Sequence, residues 1–339
     1  MIRMRTFALS ILVTVVCLAL AYLWQDWRGV YIAVVLGILE ISLSFDNAVV
    51  NASVLDEMDP LWQTIFLTVG ILIAVFGMRL IFPVAIVAGA TGLGAAEVAH
   101  MALNHPEEYS RHLHESHTEV ACFGGTFLLL VFLGFLIDNG KEVHWLGQIE
   151  ALLARLGKLE SAAVLCALVA LIGLQSFLPE EERIRAVLAG LLGIMIFIAV
   201  DGIDAFFQTG GDGHGGVAKR SGVAGFLYLE LLDASFSFDG VIGAFAITND
   251  VVLIMLGLGI GAVFVRSFTV FMVRQGTLKA FVFLEHGAHY AIGLLAAVML
   301  ASPLMAIPEW ISGGVGVLMI GLSLISSVRY NRLQRQASG

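Results

Sequence analysis

The sequence predicts an all-α polytopic membrane protein with about ten transmembrane helices in two inverted-topology repeats. Of its 339 residues, 59% are hydrophobic and only 13% are charged, whereas an ordinary soluble domain has about 25% charged residues. The apolar residues form repeated continuous runs of about 18 or more, the length that a membrane-spanning helix needs. These runs do not alternate apolar with polar residues, so the pattern disfavours a membrane β-barrel.

The acidic charge balance excludes one class of partner. The chain has 18 Lys and Arg against 27 Asp and Glu, a formal net charge of −9. Nucleic-acid binding requires a basic surface that neutralises phosphates, so no nucleic-acid partner is expected. The three cysteines, Cys17, Cys122 and Cys166, lie in apolar runs without metal-binding spacing, and we predict neither a zinc site nor a disulfide framework.

Ten apolar windows bounded by charged residues, Gly and Pro are the candidate spans. They lie at 7–24, 30–55, 61–89, 120–137, 159–178, 185–207, 222–247, 251–273, 281–301 and 308–329. The first window resembles a signal peptide, because Arg3 and Arg5 precede it. Its apolar run is too long for that role, and the internal repeat described below requires a first helix, so we predict a span.

Basic residues predict the orientation. With the amino terminus inside, twelve Lys and Arg residues lie on the cytoplasmic side and four lie outside, as the positive-inside rule requires. Both termini are therefore predicted to be cytoplasmic. The protein itself is predicted to lie in the plasma membrane (the inner membrane of a bacterium). The long connection 90–119 then lies outside and holds five of the nine histidines. It is either a weak metal trap or pH sensor, or a solvated loop or short amphipathic helix.

An internal repeat connects the two halves of the chain. The segment Glu40-Ile-Ser-Leu-Ser-Phe-Asp46-Asn47 in the second window aligns with Asp233-Ala-Ser-Phe-Ser-Phe-Asp239-Gly240 in the seventh, at an offset of 193. Five spans separate the two segments, and an odd number reverses the chain direction. We therefore predict one repeat over 1–178 and an inverted repeat over 179–339. Secondary transporters typically have this plan, with the substrate site between the repeats.

The motif places acids inside membrane helices, where each ionisable group costs about 2.5 to 3.5 kcal/mol. Two polar stripes follow the motif helices: Glu40, Ser44, Asn47 and Asn51 in the first, and Asp233 and Ser237 in the second. Asp46 and Asp239 lie about 60° off these stripes and converge on a shared axis if the helix unwinds locally. Carboxylate, amide and hydroxyl oxygens suit Mn²⁺, Mg²⁺ or Ca²⁺. In the alternative interpretation, Arg79 and Arg266 are charge partners that clamp the helices together.

Further polar residues are candidates for an accessory or proton-coupling role. Glu230 precedes the second motif, and the ninth window contains Glu285, His286 and His289. Glu285 and His289 are four residues apart, a spacing that permits metal co-ligation or proton exchange on one helix face.

The two motifs resemble those of the TerC family of integral membrane proteins, and most of all its DUF475 branch. That branch shares the Phe-Ala-Ile-Thr-Asn-Asp run at 245–250 and the Leu-Glu-His-Gly-Ala-His-Tyr-Ala-Ile-Gly run at 284–293. The resemblance implies a LysE-like transporter fold and a role in metal-ion homeostasis, since some relatives export manganese and others are named for tellurite resistance. It implies a metal site formed by Glu40, Asp46, Asn47, Asp233 and Asp239. Gly240 stands where the family has Ser, so one hydroxyl ligand is missing.

We therefore expect a secondary transporter, not an enzyme, that exports a divalent metal cation and is coupled to protons. Mn²⁺ is the favoured ion, and Ca²⁺ and Mg²⁺ are alternatives. Three other functions stay open: a non-transporting scaffold in metal or tellurite stress, a LysE-like exporter of a small organic solute, and an intramembrane aspartyl protease. The protease lacks its Gly-x-Gly-Asp signature before Asp239. Expected partners are membrane lipid, further copies of the chain, or other stress-resistance membrane proteins.

Overall fold

The computed structural model describes residues 2–138, 140–141, 143–154, 161–207, 222–305 and 307–337, and within these ranges it is helical, with short turns and no strand. This confirms an all-α polytopic membrane protein. The helices are α1 (Ile2–Leu43), α2 (Phe45–Asp56), α3 (Pro60–Leu72), a π-helix (Ile73–Ile81), α4 (Phe82–Thr91), α5 (Ala95–Asn104), α6 (Pro106–Glu115), α7 (His117–Leu136), α8 (Gln148–Ala154), α9 (Ala162–Gln175), α10 (Glu180–Phe207), α11 (Gly222–Ile247), α12 (Val251–Gln275), α13 (Thr277–Ala280), α14 (Leu284–Ala301) and α15 (Glu309–Ala337).

Seven helical stretches in the described ranges are long and apolar enough to cross a membrane. They are Phe7–Leu43, Pro60–Thr91, His117–Leu136, Glu180–Ile203, Val251–Gln275, Leu284–Ala301 and Gly314–Gln336. Every one of the ten predicted windows contains a helix, but α9 has only 14 residues, whereas a span needs about 20. The apolar sequence of α11 is interrupted by the acids of the second motif.

A sharp turn within α1 separates the first two predicted windows, and the second window continues beyond α1 into α2. Asp26 has a φ of 50°, and the backbone is non-helical there. Before the turn, Ser10 Oγ lies 2.6 Å from Ser267 Oγ of α12. After it, Gly37 packs against Ile260, seven residues earlier in α12. At the turn itself, Trp24 bonds to Asp250, which precedes α12. The first part of α1 therefore runs antiparallel to α12, and the second part runs parallel to it.

The third predicted window is a continuous rod made of α3, the π-helix and α4. The π-helix contains Arg79 near its end. Short π segments inside α-helices frequently occur at functional sites, because the extra residue in the turn redirects the side chains. In this protein the wide turn of the π-helix contains Arg79, whose guanidinium is buried.

The connection 90–119 is not an extended loop, because it contains α5 and α6 and reaches the start of α7. Tyr109 and Leu113 of α6 are buried against the apolar core, and burial raises the pKa of Tyr109. The opposite face carries the exposed Arg111, which pairs with Glu108 and Glu115. The segment therefore consists of short helices, and α6 is amphipathic.

The helices pack around two apolar cores. One contains the buried face of α2 with residues of α7, α11 and α14, such as Phe127 and Leu232. The other contains the second part of α1, through Leu36, with residues of α12 such as Ile254. The first motif begins in α1 and ends in α2, and Ser44 forms the turn between them. The motif therefore extends across both cores.

Asp250 fixes the start of α12 to the turn of α1. One carboxylate oxygen accepts hydrogen bonds from the backbone N–H groups of Val252 and Leu253, at 3.0 and 3.1 Å. The other accepts from the side chains of Trp24 and Gln25, both at 2.8 Å. A helix cap and a tertiary contact thus share one carboxylate.

We expect Asp250→Ala to lower the free energy of unfolding by about 1 to 2 kcal/mol or more, because an N-cap is lost together with two side-chain bonds. Asp59→Ala is the matched control: Asp59 has the N-cap position of α3 but no side-chain cap bond. Unfolding in detergent micelles, followed by circular dichroism, measures both variants. If both variants lose the same free energy of unfolding, the side-chain bonds of Asp250 do not stabilise the protein.

Candidate cation site

The acid of the first motif is paired with an arginine. Glu40 is 2% exposed, and its Oε1 accepts hydrogen bonds from Arg79 and, at 3.0 Å, from Ser44. Its other oxygen, Oε2, lies against Gly240 of α11, where a Cβ atom would be 2.9 Å away. Glu40 is therefore neutralised on one oxygen and meets a glycine on the other.

The acids of the second half share one arginine. Arg266 of α12 is 1% exposed and donates to both oxygens of Glu230, at 2.9 and 3.0 Å. It also donates to Oδ2 of Asp233 at 3.0 Å, and its guanidinium stacks over the ring of Phe66, 4.3 Å from the centroid. Two carboxylates thus compete for one positive charge.

Gly70 makes this second cluster sterically feasible. A Cβ atom at that position would overlap Nη1 of Arg266 and lie 2.8 Å from Oε1 of Glu230. The close approach of α3 to the ion pair therefore requires a residue without a side chain.

The two motif helices cross in opposite directions. The side-chain amide of Asn47 donates to Oδ1 of Asp233 at 3.0 Å, and Glu40 lies against Gly240. Moving forward from Glu40 in α1 to Asn47 in α2 thus moves backward from Gly240 to Asp233 in α11. Glu40 and Asn47 are equivalent to Asp233 and Gly240 at the offset of 193, so the two contacts are equivalent under the repeat.

The two halves differ in charge at this crossing. The residue equivalent to Asn47 is Gly240, so Glu40 lacks the amide donor that Asp233 has. The residue equivalent to Glu230 is Gly37, so only the second half has the additional acid. The first cluster has one acid and one arginine, whereas the second has two acids and one arginine.

Asp46 lies apart from both arginine clusters. It is 5% exposed, and its Oδ1 accepts from the backbone N–H of Asn47 at 2.9 Å. Its Oδ2 lies against Gly316 of α15, where a Cβ atom would be 2.6 Å away. No described cationic side chain pairs with it. Asp46 is therefore a buried carboxylate whose charge the described part of the protein does not balance.

Several polar atoms on the predicted stripes have no hydrogen-bond partner among the described residues. They are Oδ1 of Asn47, both amide atoms of Asn51 and Oγ of Ser237. Buried polar atoms are otherwise almost always paired, and an exception points to a bound water or ion. Two of these atoms are amide oxygens, which suit a hard cation.

The structure brings the five residues of the implied metal site together only in part. Asn47 joins Asp233, while Glu40 and Asp46 lie in different surroundings. The side chain of Asp239 lies outside the described part of the structure. Among the side chains that the structure describes, no group of three His, Cys, Asp or Glu residues is arranged to hold a metal ion. Arg79 and Arg266 occupy positions beside two of these acids, Glu40 and Asp233.

The candidates in the ninth window form a separate cluster at the start of α14. His289 bonds through Nδ1 to the backbone carbonyl of Glu285 at 2.9 Å, not to its carboxylate. The ring of His289 stacks on Phe135, with the centroids 3.9 Å apart. His286 bonds to the carbonyl of Val143 at 2.9 Å. The expected side-chain pair of Glu285 and His289 is therefore not formed.

Glu150 of α8 belongs to this cluster and was not predicted. It is fully buried, accepts a hydrogen bond from Lys141 at 2.6 Å and lies 3.5 Å from Nε2 of His286. Burial alone raises the pKa of Glu150, but the hydrogen bond and positive charge of Lys141 outweigh it and hold the pKa below its ordinary value. Because Glu150 lies outside every apolar window, no local pattern indicates its burial.

This pairing predicts a pH-dependent stability. Because the pKa of Glu150 is lower in the folded than in the unfolded state, its contribution is present above the ordinary glutamate pKa of about 4.3 and is lost as the pH falls through the folded value. We expect wild type to unfold at higher denaturant than Glu150→Gln near pH 7 and the difference to shrink on acidification. The control is Glu97→Gln, at an exposed acid. If wild type and Glu150→Gln differ in unfolding denaturant concentration by the same amount at pH 7 and at pH 3, the ionised Glu150 does not contribute to stability.

Gly70→Ala is expected to lower the free energy of unfolding by about 3 kcal/mol or more, because it separates a buried ion pair. Gly89→Ala is the matched helical control, since a Cβ there meets nothing within 4 Å and should leave stability unchanged or raise it by up to about 1 kcal/mol. Unfolding of both purified variants in detergent tests this. Equal stability of the two would show that α3 does not need a glycine at the ion pair.

Comparison with known proteins gives one family. No curated protein and no solved structure matches the chain. Residues 45–334 match the family described as "Protein of unknown function (DUF475)". The match includes α2, which carries Asp46 and Asn47, and the helices that carry Arg79, the second motif, Arg266 and the α14 cluster. The chain therefore belongs to the DUF475 family.

Proposed function

We propose that this membrane protein is a secondary transporter that exports a divalent metal cation, with Mn²⁺ as the favoured ion. The observation that carries the proposal is Asp46, a buried carboxylate inside apolar helices with no described cationic partner. Such a carboxylate holds either a proton or a metal cation, because an unbalanced charge in the membrane costs about 2.5 to 3.5 kcal/mol.

The charge count of the central helices supports a cationic substrate. Four described acids, Glu40, Asp46, Glu230 and Asp233, are buried near the motifs with two arginines. One bound divalent cation balances the two excess negative charges. The unpartnered amide oxygens of Asn47 and Asn51 are neutral ligands of the kind that Mn²⁺, Ca²⁺ and Mg²⁺ accept.

The antiparallel crossing of the motif helices supports the transport mechanism. Inverted repeats with a site at their interface allow each half to adopt, in turn, the conformation of the other. Protons and the metal cation compete for the same carboxylates, so protonation of Asp46 would release the cation. The resemblance to TerC and LysE-like proteins points in the same direction. The proposed setting is the plasma membrane with both termini in the cytoplasm.

The ion pairs favour a second candidate function for the remaining acids. Arg79 and Arg266 bind Glu40, Glu230 and Asp233 directly, and buried pairs of this kind hold helices in a fixed arrangement. A protein in which all the acids had this role would be a membrane scaffold. The two candidate functions assign different roles to Asp46, which would bind the cation in a transporter and would have no such role in a scaffold.

In proteoliposomes loaded with Mn²⁺, we expect Asp46→Asn to reduce efflux at least about tenfold, as is usual when a metal site is damaged. The matched control is Asp59→Asn, an exposed acid at the start of α3, which should transport at the wild-type rate. Efflux is followed with a Mn²⁺-sensitive dye at equal protein content. Wild-type efflux in the Asp46→Asn variant would exclude the proposed site. Wild-type protein that moves no divalent cation would favour the scaffold.

A further inference from the structure

A cavity of about 700 Å³ lies away from the charged motifs, at the turn of α1. Its walls come from that turn, from the connection of α5 to α6, from the end of α11 and from the start of α12. The residues that decide its chemistry are Trp24, Arg28, Ile32, Asn104, Phe245 and Asn249. Four separate segments thus line one partly open cavity, of a size typical of ligand sites.

The polar side of this cavity favours an anion. Arg28 is its cationic lining residue, and no described carboxylate pairs with Arg28. Asp250 also lines the cavity, but its two oxygens already accept four hydrogen bonds. The carboxylate is therefore committed to holding the fold, while the guanidinium is available to a ligand with an oxyanion.

The other side of the cavity is apolar. Ile32, Phe245 and Val251 are buried at its floor, and Leu103 and Ile247 line it with exposed side chains. A free inorganic anion would leave these surfaces in contact with water. A ligand with an anionic head and an apolar body satisfies both sides, because it also removes apolar area from water.

The position of the turn relative to the bilayer supports the same ligand. Trp27 and Tyr31 lie beside Arg28 in sequence and are 75% and 70% exposed, and Tyr22 and Trp24 are exposed one turn earlier. Trp and Tyr concentrate where a membrane helix meets the lipid headgroups. These aromatic residues therefore indicate that the turn that carries Arg28 lies near the lipid headgroups.

We propose that this cavity is a binding site for a phospholipid, with Arg28 bound to the headgroup phosphate and the apolar floor covered by the glycerol and first acyl carbons. An arginine binds a phosphate oxyanion through charge-assisted hydrogen bonds. The ligand would join the turn of α1 to α5, α11 and α12. This site is independent of the cation site, and its test does not require transport.

The test uses full-length protein in detergent micelles and dioleoylphosphatidylglycerol as the probe. We expect the lipid to raise the thermal unfolding midpoint of wild type, because a ligand that binds only the folded state stabilises it. Arg28→Gln should require about tenfold more lipid for the same shift, as expected for the loss of one hydrogen bond to a charged group. The matched control is Arg111→Gln, which removes an exposed arginine of α6 that does not line the cavity. It should respond as wild type does.

Two further ligands identify the source of the phosphate. Dioleoylglycerol, which lacks the phosphate, and inorganic phosphate, which lacks the chains, should each leave the midpoint unchanged. Equal lipid responses in Arg28→Gln and Arg111→Gln would overturn the proposal, as would a full response to dioleoylglycerol. A full response to inorganic phosphate would also overturn it and assign the cavity to a soluble phosphate ligand. Native mass spectrometry of wild-type protein gives the same comparison without a variant: a phosphatidylglycerol adduct should persist in the presence of inorganic phosphate.

Discussion

The cost of placing carboxylates inside membrane-spanning helices governs this structure. Each acid of the central helices requires a neutralising partner in an environment where water is scarce. Arg79 provides it for Glu40, and Arg266 provides it for Glu230 and Asp233. These pairs join neighbouring helices, and Gly70 stands where α3 approaches one of them most closely. The fold is thus arranged around its charges as much as around its apolar cores.

Pairing also separates two kinds of acid that look alike in sequence. Glu40 and Asp233 have direct arginine partners, so their main contribution is to join the π-helix and α12 to the motif helices. Asp46 faces a glycine on α15. A residue of the first kind joins helices through an ion pair, whereas Asp46 has no described cationic partner and is the acid on which the proposed function rests. This distinction depends on which neighbour each side chain meets, and that neighbour lies far away in the chain.

The sequence predicted the helices well because apolar runs and their charged ends are local features. The predicted window 222–247 coincides with α11 (Gly222–Ile247), and the break between the first two windows coincides with the turn at Asp26. The site was less predictable. Helical periodicity indicated the polar stripe, but it could not show that Arg266 binds two acids, or that Asp46 turns toward α15. Both contacts join segments that are distant in sequence, and no periodic pattern records them. Glu150 was missed because it lies outside every apolar window and meets His286 of α14, far away in the chain.

The unequal charge of the two halves has an energetic consequence for alternating access. If inverted halves exchange conformations, identical halves would give an inward-open and an outward-open state of equal free energy, populated equally. Here Glu230 has a glycine counterpart, Gly37, and Asn47 has another, Gly240. In a transporter of the proposed kind, the exchange would therefore not reproduce the same set of interactions, and one of the two states would have the lower free energy. A difference of about 1.4 kcal/mol would be enough to populate one state tenfold over the other.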